Sequence, residues 1–527
     1  MARVRPEAPA GNGGVVAEPP YCDWAGLVAD NRAARADWTF SVGGLPVAEF
    51  VALARAQAAE QAVRFSRRLG VAVQTGLDPD GPLIMTGHQP ELYHPGVWAK
   101  DFFLQRLADD LGALAIDAVV DSDTFDALAI EAPCMRPEVA RCREVLALGG
   151  PDVTYAGVAP LTVEEVDRFA SLTLEMLRTL PAPSVARHFE RFAGSLASAA
   201  SDAHSVAELV TIARRRYETE ASTTYLEWPV SSFVGSTAFC SFVAGIAADA
   251  SRFAGVLNGC LARSRERSGL RGAGQPFPDL DVVDESVELP FWVLIDGRRH
   301  RLWAVETPEG TSLRTFRGAD SELVTLPRDT AEAGEALAAS GLLVVPRAVT
   351  LTLYIRMFVA DLFIHGTGGA KYDQVTDDLV RAWYGVEPPH FAVASLTLYL
   401  PLGIHIVGDE EIDEVRGTLQ RLIHNPDQLL GGLHFEDPAE RLQMEDLAAS
   451  KGALVASIAA PGADKKLLGR RIREVNEQLA AHLEPLRAEL TERLDTLTSE
   501  QAAVDVLMDR TYPFCYWSPL EVAGTVG

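Results

Sequence analysis

The chain has 527 residues, 48% of them hydrophobic, which allows about three domains of ~150 residues and a sizeable core. Its 73 acidic against 47 basic residues give a formal charge of -26, which argues against a duplex or transfer-RNA partner because such a body repels phosphate backbones. No uncharged apolar run reaches the ~18 residues of a membrane span, and residues 1–20, rich in Pro, Gly and Ala, lack the apolar stretch of a secretory signal, so the expected setting is cytoplasmic, with neither nucleic acid nor membrane as partner.

In chain order, residues 1–20 read as a flexible arm. Residues 47–69 have helical periodicity and few breakers. Leu83, Ile84 and Met85 form a short apolar run expected to be a buried strand, followed by a loop to Pro95 and a helix over 96–111. A second buried strand is expected over 114–120. Strand, loop, helix and strand are the opening of a parallel α/β sheet. Helices are expected near 162–179, 186–221, 237–247 and 250–268. Two strands flanking Asp296-Gly297-Arg298 read as a hairpin. A helix over 329–340, a strand over 342–345, a helix over 347–362, a helix over 370–383 and a strand over 391–400 follow. From residue 437 to about 510 the pattern is helical, with a break at Pro461-Gly462. There Leu479, Leu483, Leu486, Leu490, Leu494 and Leu497 recur at threes and fours, as in a helical hairpin or an oligomer seam.

These elements predict an α/β fold with a parallel sheet core. Residues 21–155 and 286–410 form its two parts, 156–285 a mainly helical insertion, and 411–527 a C-terminal helical, coiled-coil region packing back on the core. The six cysteines, Cys22, Cys134, Cys142, Cys240, Cys260 and Cys515, lack C-x-x-C pairing. They are expected to be reduced and buried, with no structural metal.

Three segments carry chemistry. The first runs T-G-H-Q-P-E-L-Y-H-P-G-V-W-A-K. Gly87 and Gly96 permit close backbone approach. His88 and His94, a helix start at Gly96 and Lys100 one turn on can hold a triphosphate and stabilise a departing pyrophosphate. His94-Pro95-Gly96 matches the H-x-G part of the HxGH motif of nucleotidylyltransferases, with Val97 in place of the second histidine. The second segment, His365-Gly366-Thr367-Gly368-Gly369, offers converging backbone N–H groups before a helix, with Lys371, Tyr372 and Asp373 beyond. It lacks P-loop spacing. The third holds Asp121, Asp123 and Asp126, suited to an amine, a ribose or Mg²⁺, or to a solvated acidic loop. Arginines at 263–271 and Arg298, Arg299 and Arg301 read mainly as solvated faces.

The first segment resembles the T-G-Q-Q-x-G-L-x-x-G-P…K loop of the bacillithiol synthase family, cysteine-adding enzymes of low-molecular-weight thiol biosynthesis. Phe363 to Tyr372 resembles that family's F-I-G-G-P-G-E-I-A-Y segment, and Asp121 to Asp126 its E-D-H-D-F-x-E segment. The late helix ending near Tyr512-Pro513-Phe514 is also similar, and the order of all four agrees. The resemblance implies a Rossmann-like core with helical insertions, a C-terminal coiled coil supporting a homodimer, and a ligase that joins cysteine to the amine of a small acceptor. Thr86, Gly87, Gln89, Gly96, Lys100, Gly366, Gly368 and Tyr372 carry over. His88, His365 and Lys371 depart from the pattern, and Asp123 stands where the family has His.

The expected reaction activates a carboxylate with ATP and Mg²⁺ and passes the acyl group to an amine. His88, His94 and Lys100 would stabilise phosphate charge, and Asp121 or Asp123 would orient the amino group. The loop from Gly366 through Thr367 and Gly368 to Gly369 would cradle the far end of the nucleotide. The alternatives are a nucleotidylyltransferase and a non-catalytic nucleotide-binding scaffold.

Overall fold

A computed structural model describes residues 7–9, 11–73, 78, 80–135, 139–268, 278–315, 321–403, 408–433, 435, 437–460 and 463–527; the side chains of Ser268, Lys371, Tyr372 and Ala502 are outside the description. The fold is mixed α/β. It divides into two compact units, one made of Met1–Cys134, Arg141–Pro401 and Arg510–Gly527, the other of Met135–Ala140 and Leu402–Asp509.

The first unit is built on a six-stranded sheet. Its strands are β1 (Gly14–Glu18), β2 (Leu83–His88), β3 (Leu114–Val119), β4 (Leu226–Pro229), β5 (Leu362–His365) and β6 (Ala392–Thr397), in the spatial order β1-β6-β5-β2-β3-β4. Neighbours from β6 to β4 are parallel, and β1 closes the β6 edge antiparallel. The strand order reverses between β2 and β5, where Leu362 pairs with Ile84 and Phe363 with Met85. The apolar run Leu83-Ile84-Met85 is buried on both faces, as parallel strands covered by helices must be. Leu83, Met85, Ile116, Ala118, Leu226 and Trp228 pack in one cluster with Phe50, Ala54, Ala58 and Ala62 of the helix Val47–Arg68. Helix α1 (Pro95–Leu111) follows β2, and helix α2 (Thr367–Tyr384) follows β5.

A six-stranded antiparallel sheet holds the expected hairpin, Ser286–Ile295 with Arg298–Thr307, together with Val282–Val283, Gly310–Arg314, Glu322–Pro327 and Leu343–Pro346. In the second unit, Leu422, Met444, Leu479 and Leu483 form one apolar cluster and Ile412, Val415 and Leu497 another. The leucine stripe is thus taken up within the unit. It spans two helices, Lys465–His482 and Glu484–Leu507, because Pro485 starts a new one.

Several expectations need correction. The arm over 1–20 contains β1, tied to β6 from Gly14 through Glu18. The region 156–285 is more than an insertion, since it supplies core strand β4. One expected helix, 186–221, is two, Pro183–Ala199 and Val206–Tyr217. Another, 347–362, stops after Ala348–Tyr354 and a π-turn over Ile355–Val359, and β5 begins at Leu362. Residues 510–527 belong to the first unit, where Tyr512, Phe514, Cys515, Tyr516 and Trp517 are buried. Cys134 and Cys142 form a disulfide across a hairpin of Ala127–Cys134 and Ala140–Leu148, and Cys22 is exposed, so the six cysteines are not uniformly reduced and buried. The break at Pro461-Gly462 lies outside the described residues.

Candidate active site

A cavity of about 810 Å³ opens at the carboxyl ends of β2 and β5, where the strand order reverses. Ligands of open α/β sheets bind in this crevice because the loops from adjacent strands diverge there. Its lining brings together Gly87, His88, Gln89, His94, Lys100 and Asp123 from the first half of the chain with His365, Gly366, Thr367, Gly368 and Gly369 from the second. Some 265 residues separate Lys100 from His365 in sequence.

A Cβ on Gly87 would stand 3.0 Å from the Ala118 carbonyl, so a larger residue there would be crowded against β3. The Gly87 carbonyl accepts a 2.8 Å hydrogen bond from Lys100 Nζ. Lys100 is buried, and burial lowers its pKa against the raising influence of Asp101 and Asp117. Its Cδ lies 4.0 Å from where a Cβ on Gly366 would stand. The lysine stem therefore runs beside the second loop while its ammonium bonds to the first.

The two histidines differ in what they offer. His88 Nδ1 lies 2.9 Å from the Gln89 carbonyl. A carbonyl only accepts, so Nδ1 carries the proton and Nε2 of the neutral ring is an acceptor. Burial first, then Lys100, His94 and Arg214, pull the His88 pKa down to about 3. His94 is the N-cap of α1, and its Nδ1 accepts from the Gly96 N–H at 3.0 Å, which leaves Nε2 as the protonated nitrogen of the neutral ring. His88 is therefore unsuited to stabilising phosphate charge, contrary to expectation, while His94 and Lys100 remain donors. The start of α1 is also not an open anion site, since Pro95 has no N–H and His94 itself caps Gly96.

Helix α2 is different. Its N-cap is Gly366, without a side-chain cap, and no acidic residue lies in its first turn. The backbone at Thr367, Gly368 and Gly369 lines the cavity, so the positive end of an 18-residue helix dipole faces it. His365, at the end of β5, is buried between the rings of Phe363 and Phe391. Its Nε2 lies 2.9 Å from Asp373 Oδ2. Arg356 pairs with Asp373, and with Asp377 at 2.9 Å. Burial pushes the Asp373 pKa up, but Arg356 and His365 outweigh it and hold it below the usual carboxylate range.

Other expected residues act elsewhere. Thr86 is a strand residue whose hydroxyl donates to the Ile364 carbonyl at 2.8 Å, stitching β2 to β5. Gly96 is a packing glycine, since a Cβ there would lie 2.5 Å from both Arg510 Nη2 and the Leu396 carbonyl. Asp121 accepts from the Ser231 N–H at 2.9 Å and from its hydroxyl, and lines a separate recess of about 150 Å³. Burial raises its pKa to about 6. It therefore does not join the main cavity. Asp123 does, but accepts from Gln89 Nε2 at 2.9 Å and pairs with Arg299 at 3.0 Å. Lys371 and Tyr372 fall in the first turns of α2, with side chains outside the description.

The far wall was missed in the sequence. Trp292 lies against the guanidiniums of Arg299 and Arg347, at 5.1 and 3.9 Å. All three line the cavity, with Thr352 and Thr376. Arg299 belongs to the hairpin arginines read as a solvated face; Trp292 and Arg347 carry no local motif. Among the described residues, no group of three or more His, Cys, Asp or Glu is placed to hold a metal ion, and no single helix is long and apolar enough to cross a membrane.

No protein-family model matches the chain, and no curated protein matches it.

Proposed function

We propose that the cavity is the active site of an ATP-dependent ligase that joins the carboxyl group of an amino acid, cysteine or a similar one, to the amine of a small acceptor, as in a divergent relative of the bacillithiol synthases. The observation that carries the reading is the meeting of the Gly87–Lys100 and Gly366–Gly369 loops in one cavity at the reversal point of the sheet. In chain order the five parallel strands lie 3-2-1-4-5, the order of Rossmann-like nucleotide-binding sheets. The volume is within the ~300–1,000 Å³ of small-molecule sites, enough for a nucleotide with a small co-substrate.

The donor side of the cavity is made of Lys100, His94 and the uncapped start of α2. Fixed donors of this kind lower the energy of a charge that grows on a phosphate oxygen. His88 supplies a neutral acceptor at Nε2, suited to a hydroxyl or ammonium donor of a substrate. Asp123 is held by Gln89 and Arg299 and can accept a further donor. Mg²⁺ would arrive with the nucleotide.

The test is amino-acid-dependent exchange of labelled pyrophosphate into ATP. Exchange that requires the amino acid and falls at least ~100-fold in Lys100→Met supports the reading, in line with the loss of one transition-state donor. No exchange with cysteine or any other amino acid contradicts it. A stable nucleotidyl product in place of exchange would mark a nucleotidylyltransferase.

A further inference from the structure

We propose that His365 is the base that takes the proton from the attacking amine, with Asp373 as the positioning residue behind it; this rests on the ligase reading above. The geometry sets the tautomer. Nε2 of His365 lies 2.9 Å from Asp373 Oδ2, so Nε2 carries the proton and Nδ1 the lone pair. Nδ1 points toward Gly369, where a Cβ would stand 3.1 Å from it. Gly369 and His365 both line the cavity. Phe363 and Phe391 fix the ring plane, and Arg356 fixes the carboxylate. His365 Nε2 and Asp373 Oδ1 are both buried without an aligned hydrogen-bond partner, so the 2.9 Å contact between ring and carboxylate has room to tighten when the imidazolium forms.

His88 cannot share this duty. It faces Lys100, His94 and Arg214, which disfavour its protonated form. His365 instead lies 2.9 Å from the Asp373 carboxylate. The two rings line one cavity with opposite electrostatic surroundings, which is how acid–base roles are separated.

The step balances. The acceptor arrives as an ammonium and gives one proton to His365 Nδ1. The freed nitrogen lone pair forms a C–N bond to the acyl carbon, and the carbonyl π pair moves onto oxygen. When that pair returns, the acyl–phosphate C–O bond breaks, and AMP leaves with its electrons. The nitrogen loses its second proton to water, and the imidazolium releases the first. The products are the amide, AMP and two protons.

The experiment compares two nucleophiles on the full chain, with ATP and cysteine. Hydroxylamine is largely unprotonated at neutral pH and needs no base; methylamine is largely an ammonium and does. The readout is the ratio of methylamide to hydroxamate formed within each variant, so changes in folded fraction or in activation cancel. In His365→Gln that ratio should fall ~100-fold or more, the usual contribution of a general base. Asp373→Asn should lower it in the same direction by a smaller factor. An unchanged ratio in His365→Gln overturns the base assignment alone. Absence of pyrophosphate exchange in the wild-type protein overturns the ligase reading, and the base assignment falls with it.

Discussion

Replacing Arg214 with Met should destabilise the protein by several kcal/mol, with a pH dependence of definite sign. Arg214 is buried beneath α1 and pairs with Asp101 at 2.5 Å, Glu227 at 2.8 Å and Asp117 at 3.0 Å. Arg215 pairs with Glu218 at 3.1 Å, and Trp98 Nε1 donates to Glu218 at 2.6 Å. Methionine keeps most of the length but leaves three buried carboxylates short of a cation. Removing one partner of a buried pair costs ~3–5 kcal/mol, a large part of the ~5–15 kcal/mol that holds a typical domain. Burial, the largest influence, already raises Asp101 to about 7 and Glu227 well above its ordinary value, with Arg214 opposing both. An acid whose folded pKa exceeds its unfolded one binds more protons in the folded state. Stability then falls as pH rises from about 4 to 7, the window between the unfolded and folded values for Asp101. Without Arg214 both acids shift further up. The deficit of the variant should therefore be larger at pH 8 than at pH 5. Urea unfolding followed by tryptophan fluorescence measures it, since Trp98 touches the cluster. A loss below ~1 kcal/mol at pH 8, the range of a surface pair, would refute the reasoning, as would a larger deficit at pH 5.

His88 gives the opposite slope. Its folded pKa is depressed to about 3, so the unfolded chain binds the extra proton between that value and about 6.5, and stability declines as pH falls through this window. His88→Gln should lose less stability than the wild type between pH 7 and pH 4; equal losses would remove the assigned neutral state. Gly96→Ala should cost ~1–3 kcal/mol by overpacking, because its Cβ would meet Arg510 and the Leu396 carbonyl at 2.5 Å; an unchanged melting curve with weakened ATP binding would return Gly96 to the site. Gly369→Ala should disturb His365, with Cβ 3.1 Å from Nδ1, and lower turnover while the melting temperature stays within a few degrees; full activity would show that the ring does not need this space.

The parts of the fold legible in the sequence are those whose signal is local. Leu83-Ile84-Met85 before a loop and helix announced β2 and α1, and the turn Asp296-Gly297-Arg298 announced the hairpin. Strand β4, Leu-Glu-Trp-Pro at 226–229, is four residues long and carries a buried glutamate. Its place in the sheet comes from pairing with β3 and from Arg214 and Arg215, neither visible in a window around it. Strand β5 is similarly short and continues an apolar helix, so periodicity ran it into that helix. At the site, the glycines and histidines stood out because few other residue types allow close approach or proton exchange. What they do was set by partners distant in sequence. Gln89 and Arg299 claim Asp123, Ser231 claims Asp121, and Asp373 lies 2.9 Å from His365. Thr86 looked like a binding residue because it borders the loop, but a buried hydroxyl needs a partner, and the Ile364 carbonyl is that partner.

The most direct measurement is calorimetric titration of ATP into the wild-type chain and into Lys100→Met. The account predicts one site in the wild type, and affinity weakened ~10–100-fold in the variant, about 1.4–2.8 kcal/mol, because Lys100, held on the Gly87 carbonyl, is the fixed cation lining the cavity. Equal affinity in the two proteins, or no binding to the wild type, would contradict it.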